Sequence, residues 1–306
     1  MQKKLIYGCL ITVICLGLTG CKNSDYKEAI KLQNTKDYAS AVALYEELGE
    51  YKDSASRLTD CKTIISAIDE YNKAETLAEE KNTKLDEAIT DAEALIVKQE
   101  KALDETLIPI LESAISETKA VRADIPDMPE TADEIMRAAE NMNSIDYSNA
   151  LLNLSTNKQN LESSIKQYAL VNAPEEAYII TCLNKVPNIV DISAVTEDND
   201  PNGNLNKAGG YKAQVYFSSS LIDQSEVLGS TVIEKGTDCG GSIEVYETEK
   251  EAETRNEYLG GFDGSIFASG SHTVIGTVLV RTSDELTASQ QKEMEASIIY
   301  ALTTIE

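Results

Sequence analysis

The spacing of apolar residues changes once along this chain, near Ala173 and Pro174. From Tyr26 to about Val171 the apolar residues recur every three or four positions, which is typical of amphipathic helices. Beyond Pro174, several short segments alternate apolar and polar residues, which is typical of strands with one buried face. The chain is therefore predicted to be an α+β multidomain protein, in which an all-α helical hairpin and bundle precede a small α+β sandwich with a mixed sheet.

The first 21 residues have the composition of a secretory signal. Lys3 and Lys4 stand before an apolar stretch that runs from Leu5 to Leu18. This stretch is shorter than the roughly 20 apolar residues that a membrane-spanning helix needs. We expect the rest of the chain outside the cytoplasm, whether this segment is cleaved or stays as an uncleaved hydrophobic anchor.

The signal ends in Leu18-Thr19-Gly20-Cys21, which resembles the lipobox of bacterial surface lipoproteins of the Gram-positive type. The resemblance implies a diacylglyceryl group, with palmitate-like chains, on the sulfur of Cys21. It also implies cleavage before Cys21, which makes residues 1–20 the signal peptide. Two acyl chains anchor a protein stably where one chain is marginal. The expected location is the extracytoplasmic face of the cell membrane.

Composition excludes several classes of function. The chain has 27 Lys and Arg against 52 Asp and Glu, a formal net charge of −25, so no nucleic-acid partner is expected, because such binders need clustered cations. A single His leaves no multi-His metal site and little His-based catalysis.

Removal of the signal leaves Cys61, Cys182 and Cys239 beside the lipidated Cys21. Their odd number excludes a complete set of intramolecular disulfides, while a Cys182–Cys239 bridge stays open.

Residues 21–61 are predicted to form a helical hairpin. Large and small side chains alternate on its two facing sides: Tyr26, Ala29 and Leu32, then Tyr38, Ala41, Tyr45 and Leu48. Gly49 is placed to end the second helix. The pattern resembles a degenerate tetratricopeptide-like repeat, which implies binding of a peptide or a protein, although packing without any ligand remains an equal alternative.

Residues 62–172 are predicted to form long amphipathic helices that fold back on one another as an antiparallel bundle. The first is expected over 62–104, with a coiled-coil-like but imperfect heptad that places Glu75, Asn82 and Gln99 on its seam. Pro109 is expected to kink the helix that follows. Further helices are expected at about 131–143 and 147–170. An intermolecular coiled coil is the less economical alternative.

Residues 173–306 are predicted to form the α+β domain, with a ferredoxin-like arrangement as one alternative. In YKAQVYF, the side chains of Tyr211, Ala213, Val215 and Phe217 are expected on one face. In SIEVY, Ile243 and Val245 are expected to point inward. HTVIGTVLV is apolar nearly throughout and is expected to be one central strand, reached from SIEVY by a helical crossover. The pattern resembles uncharacterised C-terminal domains of Gram-positive lipoproteins, which implies no activity.

Two helices of this domain have sequence signals at their ends. Thr248 with Glu251, and Thr287 with Gln290, have the spacing of capping boxes. The first helix is expected to stop at Gly260-Gly261. The second is expected to turn an apolar face inward, formed by Met294, Ile298, Ala301, Leu302 and Ile305.

The loop 196–210 holds the candidate metal ligands of the chain. Asp198, Asp200, Asn202 and Asn204 alternate as the first ligands of a calcium loop do. Gly209 stands where an EF-hand has its bidentate Glu, which excludes an EF-hand. A weak surface calcium site is one interpretation. The favoured one is a turn in which these side chains cap backbone N–H groups.

Candidate catalytic residues are few. GTDCGGS lacks the Lys of a phosphate-binding loop and is interpreted as a tight turn. Cys239 and His272 could form a nucleophilic dyad only if the fold brought them together, and Glu244, Glu247 and Asp263 are carboxylates near turns without a recognisable pairing. The sequence therefore favours a non-catalytic binding or scaffolding lipoprotein that presents its C-terminal domain to a protein or another envelope partner. The alternatives are a cell-envelope enzyme and a structural helical spacer, and the oligomeric state is left open.

Overall fold

The computed structural model describes residues 22–265 and 270–305, in which helices precede a five-stranded antiparallel sheet. The predicted α+β class is confirmed. The signal residues 1–20 and Cys21 lie outside the described residues. Within the described ranges, no helix is both long enough and apolar enough to span a membrane.

The elements are numbered here in chain order. The helices are α1 (Lys22–Asn34), α2 (Tyr38–Leu48), α3 (Ser54–Val97), α4 (Leu107–Ala120), α5 (Ala132–Asn143), α6 (Ser148–Val171), α7 (Glu176–Leu183), α8 (Val232–Lys235), α9 (Glu249–Gly260) and α10 (Ala288–Thr303). The strands are β1 (Ile189–Ala194), β2 (Ala213–Ser219), β3 (Gly240–Val245), β4 (Ser271–Ile275) and β5 (Val278–Thr282). Contacts divide the described residues into two compact units, residues 22–86 with 122–147 and residues 87–121 with the described residues from 148 onward.

The first unit begins with the expected helical hairpin. Its core is formed by buried side chains of α1, α2 and the start of α3: Ala29, Ala41, Tyr45, Leu48 and Cys61. Small alanines let the helices approach closely, and the Tyr45 hydroxyl donates to Gln33 Oε1 over 2.9 Å. Gly49 ends α2 with a φ of 60°, a conformation that glycine adopts without a steric penalty.

The rest of the first unit packs α3 against α5. Tyr71 and three alanines of α3 are buried against Ile135 and Met142. Asn82, predicted on the seam, is buried and hydrogen-bonded through both its nitrogen and its oxygen. Its Nδ2 donates to the Ala123 carbonyl over 3.0 Å, and the Tyr147 hydroxyl donates to its Oδ1 over 2.6 Å. A buried amide paired in this way fixes how the segments pack.

The long helices differ from the prediction at two points. α3 runs over Ser54–Val97 instead of 62–104, and the segment after it binds α6 through the Leu103 amide, which donates to the Ser164 carbonyl over 3.1 Å. Pro109 is the third residue of α4 and kinks nothing. A proline is tolerated in a first helical turn because the N–H groups there have no intrahelical acceptor. The helices expected at 131–143 and 147–170 are confirmed.

The sheet of the second unit has the order β1-β2-β3-β5-β4, and every neighbouring pair is antiparallel. The predicted mixed sheet is therefore wrong. β3, α9 and β4 follow one another as expected, and β3 and β4 point the same way, but β5 lies between them. The order also differs from a ferredoxin-like sheet, which is built from two split βαβ units.

The segment HTVIGTVLV is a hairpin, not the single strand that was predicted. β4 and β5 are joined by a turn at Gly276-Thr277, and the Thr277 amide donates to the Val171 carbonyl at the end of α6 over 2.9 Å. Gly276 has a φ of 58°, and a Cβ there would lie 2.5 Å from the Val171 oxygen. This contact, which is distant in sequence, decides where the strand turns.

One face of the sheet is apolar and forms the main core. Alternate side chains of β2, β3 and β5 pack against α7 and α10: Ala213, Val215, Phe217, Ile243, Val245, Val278 and Val280. The inward orientation predicted for Ile243 and Val245 is confirmed. In α10, Met294, Ile298 and Leu302 are buried as predicted, whereas Ile305 lies beyond the end of the helix and is 42% exposed.

Tyr211 was predicted on this apolar face and lies on the other one. It packs with Tyr246 on the side of the sheet that α9 covers. The chain bends at Lys212 and β2 begins only at Ala213, so the alternation of the strand does not extend back to Tyr211.

Candidate functional site

The second face of the sheet is also buried, and it is polar toward β2. Gln214, Tyr216, Glu244 and Arg281 alternate with the apolar core residues along β2, β3 and β5. Alternating strands usually leave their polar side in water. Here α9 packs over β4 and β5, and the loop 196–210 reaches the side chains of β2. Polar side chains are thus enclosed and must find partners among themselves.

Glu244 is the charged centre of this face and is fully buried. Its Oε1 accepts from Arg281 over 3.0 Å, and its Oε2 accepts from Arg255 Nε over 3.2 Å and from the Tyr246 hydroxyl over 2.6 Å. Burial, and then the charge of Glu244, raise the pKa of Tyr246, which keeps this phenol neutral. One carboxylate is shared by two guanidinium groups, so these three charged side chains carry a net +1.

A second set of hydrogen bonds connects β2 to the loop. Gln214 Nε2 donates to the Tyr216 hydroxyl over 3.0 Å, and Asn202 Nδ2 lies 3.5 Å from that same hydroxyl. Asn202 is exposed, but its amide nitrogen reaches the side chains of β2. The Ser242 hydroxyl, buried on the same face, has no hydrogen-bond partner in the described part of the chain.

The candidate calcium residues surround Asp200, which is used by the protein itself. Its carboxylate accepts from the backbone amides of Asn202, Asn204 and Leu205 over 2.9, 2.6 and 2.7 Å, and from the Tyr211 hydroxyl. Burial raises the pKa of Asp200, but the hydrogen bonds from Tyr211 and the three amides outweigh it and lower that pKa below its ordinary value. This is the geometry of the expected turn.

The other candidate ligand, Asp198, is exposed on the same loop. Within residues 22–265 and 270–305, no group of three or more His, Cys, Asp or Glu side chains is placed to hold a metal ion. Calcium binding by Asp198, Asp200, Asn202 and Asn204 stays a prediction.

A pocket of about 460 Å³ opens beside this network, between the loop and α9. We call it the Tyr258 pocket. Its lining residues are Asn204, Gly209, Gly210, Tyr211, Tyr246, Thr248, Lys250, Glu251, Thr254, Arg255 and Tyr258. Gly210 is required here, because a Cβ would lie 2.0 Å from the Asn204 carbonyl oxygen. The volume is within the range of small-molecule sites.

Two side chains give the Tyr258 pocket its chemical character. Tyr258 is 58% exposed, and its ring is held edge to face against Phe262 with the centroids 5.1 Å apart. The guanidinium carbon of Arg255 lies 5.3 Å from the centroid of the Tyr258 ring. Arg255 is held in place by its hydrogen bond to the buried Glu244. The Tyr258 ring and the N–H donors of Arg255 are therefore already oriented before a ligand arrives, which favours binding.

The other candidates from the sequence, Cys239 and His272, have separate sets of partners. Cys239 is fully buried, its thiol donates to the Gly236 carbonyl over 3.2 Å, and burial raises its pKa to about 11, so little thiolate forms. His272 is held by Asn256 Oδ1 at 2.6 Å and Asp263 Oδ1 at 3.3 Å. No disulfide joins Cys182 to Cys239, so the bridge that the sequence left open does not form.

Sequence reasoning missed most of this site. Glu244 was considered only as one carboxylate among many, and Arg255, Arg281 and Tyr258 were not singled out. The usable signal is a charged residue inside an otherwise apolar strand, Glu244 in GGSIEV and Arg281 in VLVRT. Such charges are buried only when they are paired.

Comparison of the chain with protein-family models, with curated proteins and with solved structures finds no match. The residues of the site and the signal at the start of the sequence are therefore the basis for its function.

Proposed function

We propose that this protein is a membrane-anchored extracytoplasmic lipoprotein that acts as a non-catalytic binding module. In this proposal a diacylglyceryl group on Cys21 holds the chain at the cell membrane. The C-terminal α+β domain binds a polar partner of the cell envelope, a protein or another envelope component, in the Tyr258 pocket. The anchor is supported by Leu18-Thr19-Gly20-Cys21 after an apolar signal.

The binding role depends on one observation, the exposed Tyr258 ring beside the fixed guanidinium of Arg255. Exposed aromatic residues and arginines contribute much of the binding energy of protein surfaces. Glu244 orients Arg255 before any partner arrives, so little side-chain entropy remains to be lost on binding. The acidic surface of the chain keeps the anchored domain soluble.

The anchor is tested by replacing Cys21 with Ser in cells supplied with labelled palmitate. The unaltered protein should carry label and sediment with membranes. Cys21→Ser should carry none, and it should be released or stay unprocessed. A Cys61→Ser variant is the matched control, because Cys61 is buried in the helical hairpin and offers no lipidation site. Label that still follows Cys21→Ser would contradict the anchor.

The pocket is tested by capture from an envelope extract with the chain from Lys22 onward, where the described fold begins. Material captured by the unaltered chain should be lost with Tyr258→Ala. Tyr300→Ala is the control, because Tyr300 is 72% exposed on α10, outside the lining of the Tyr258 pocket. Equal capture by Tyr258→Ala, or loss with Tyr300→Ala alone, would overturn the proposed pocket.

A further inference from the structure

The guanidinium of Arg255 is only partly used by the protein. Its Nε donates to Glu244, while in the described part of the chain its two terminal nitrogens have no hydrogen-bond partner. The side chain is 22% exposed and lines the Tyr258 pocket. Guanidinium N–H groups inside a pocket are strong donors, and leaving them unpaired is costly unless water or a ligand accepts from them.

The charge behind Arg255 is not fully balanced by Glu244. This carboxylate gives one oxygen to Arg281 and shares the other between Arg255 and the Tyr246 hydroxyl. In a chain with 52 acidic and 27 basic residues, a buried cluster with a surplus of cations is an exception. The rim adds one charge of each sign, Lys250 and Glu251, and Oε2 of Glu251 accepts from the Thr248 amide and hydroxyl. The surplus positive charge faces the pocket through Arg255.

We propose that the Tyr258 pocket binds the carboxylate of a small ligand, with the terminal nitrogens of Arg255 as its partners and the Tyr258 ring against the body of the ligand. A planar guanidinium matches a planar carboxylate through two parallel hydrogen bonds. The ring of Tyr258 has one face near Arg255 and is more than half exposed, so it offers contact area to an apolar or sugar-like surface. This inference rests on the pocket of the proposed function and names the chemistry that it recognises.

Two sources of such a carboxylate fit the pocket, the C-terminus of a short peptide and a sugar acid. Titration calorimetry on the chain from Lys22 onward distinguishes them with two matched pairs of probes. The peptide pair is N-acetyl-alanine and its uncharged amide, and the sugar pair is glucuronate and glucose. Either N-acetyl-alanine or glucuronate should bind. The uncharged counterpart of the probe that binds should bind about tenfold more weakly or not at all.

Arg255→Lys keeps the positive charge and removes the planar fork, so it should weaken carboxylate binding about tenfold while the protein stays folded. Arg122→Lys is the matched control, because Arg122 pairs with Asp86 in the first unit. If Arg255→Lys is unstable, Tyr258→Ala serves as the second variant, since this exposed side chain can be removed without opening the core.

The proposal is overturned if no charged probe binds at about 10 mM, if each uncharged probe binds as well as its partner, or if folded Arg255→Lys binds unchanged. Inorganic phosphate that binds while both carboxylates fail would also overturn it. These results concern the purified chain alone. Probe binding together with failed capture from the envelope would remove the proposed function and leave the carboxylate site standing.

Discussion

The two faces of the sheet in the second unit are both buried, but they are held by different forces. Ile243 and Glu244 are neighbours in β3, and each is 0% exposed, on opposite sides. Ile243 lies among aliphatic side chains that any residue of similar volume could join. Glu244 has three named partners with set geometry. Burial alone therefore does not identify an apolar core. One face is stabilised by removing apolar side chains from water, and the other by hydrogen bonds and ion pairs with set directions.

This contrast has a consequence for the Tyr258 pocket. An apolar core tolerates small shifts of its cover, because its contacts have no preferred direction. A buried carboxylate that must meet Arg255 of α9 and Arg281 of β5 allows one position of α9. We therefore expect the polar face to position the helix that carries Tyr258.

The largest effect is expected for Glu244→Ala. Arg281, with 9% of its side chain exposed, and Arg255 would lose their carboxylate in a buried setting. Breaking a buried ion pair by removing one partner costs about 3–5 kcal/mol. Hydrogen exchange of the β2 and β3 amides should report this loss, because these amides belong to the sheet and not to the helical first unit.

The paired substitution sharpens this test. Glu244→Met together with Arg281→Met removes both members of the buried pair and should cost less than Glu244→Met alone. If the double variant is less stable than Glu244→Met alone, the cost of losing Glu244 does not come from the buried guanidinium of Arg281.

A slightly smaller effect is expected for Ile243→Ala on the apolar face. Loss of the buried side chain and the cavity that remains cost about 2–5 kcal/mol. Ile243→Val should cost about 0.5–1.5 kcal/mol. Ile243→Val, which keeps an apolar side chain, should therefore cost less than a substitution of Glu244 that removes its charge. A similar cost of these two changes would contradict the distinction between the two faces.

Asp200→Asn should cost about 1.5–3 kcal/mol at neutral pH, since several hydrogen bonds to a charged group are weakened. The folded pKa of Asp200 is lowered, so its contribution is present above the unfolded pKa of about 3.9 and is lost as the pH falls through the folded value. Thermal unfolding from pH 7 to pH 2 should show the gap between the two proteins closing below about pH 4.

The control for this loop is Asp198→Asn, because Asp198 is exposed. It should change stability by less than about 0.5 kcal/mol at any of these pH values. A gap that does not narrow between pH 4 and pH 2 would mean that Asp200 acts by shape and not by charge. Added calcium that stabilises the unaltered chain and neither variant would instead support the predicted metal site.

Short-range signals in the sequence predicted the elements that cover the sheet. Both capping boxes are present, Thr248 with Glu251 and Thr287 with Gln290, because the capping residues lie three positions apart and need no tertiary partner. The turn around Asp200 was predictable for the same reason. These signals place α9 and the loop that border the site.

The site itself depends on residues that are distant in sequence. Arg281 is 37 positions from Glu244, and Val171 is 106 positions from the Thr277 hydroxyl that binds it. An apolar run such as HTVIGTVLV does not reveal where it turns when the turn is fixed by another helix. Alternation along β3 predicted that Ile243 and Glu244 face opposite ways, but not that a helix covers the second face.

The smallest effects are expected at the N-caps of α9 and α10, the helices that cover the two faces of the sheet. Removing one cap should destabilise the whole sheet, and removing the other should destabilise only its own helix. α10 buries Met294, Ile298 and Leu302 in the main core, so Thr287→Ala should lower the free energy of unfolding of the whole sheet by about 1 kcal/mol.

α9 buries only Ala252 and Leu259 and is otherwise held by polar pairs, so it should open locally before the sheet unfolds. Thr248→Ala should therefore speed hydrogen exchange in α9 about fivefold and leave β2 and β3 nearly unchanged. Equal effects of both variants on the strand amides would mean that α9 and the sheet unfold as one unit, and that the polar face is as cooperative as the apolar core.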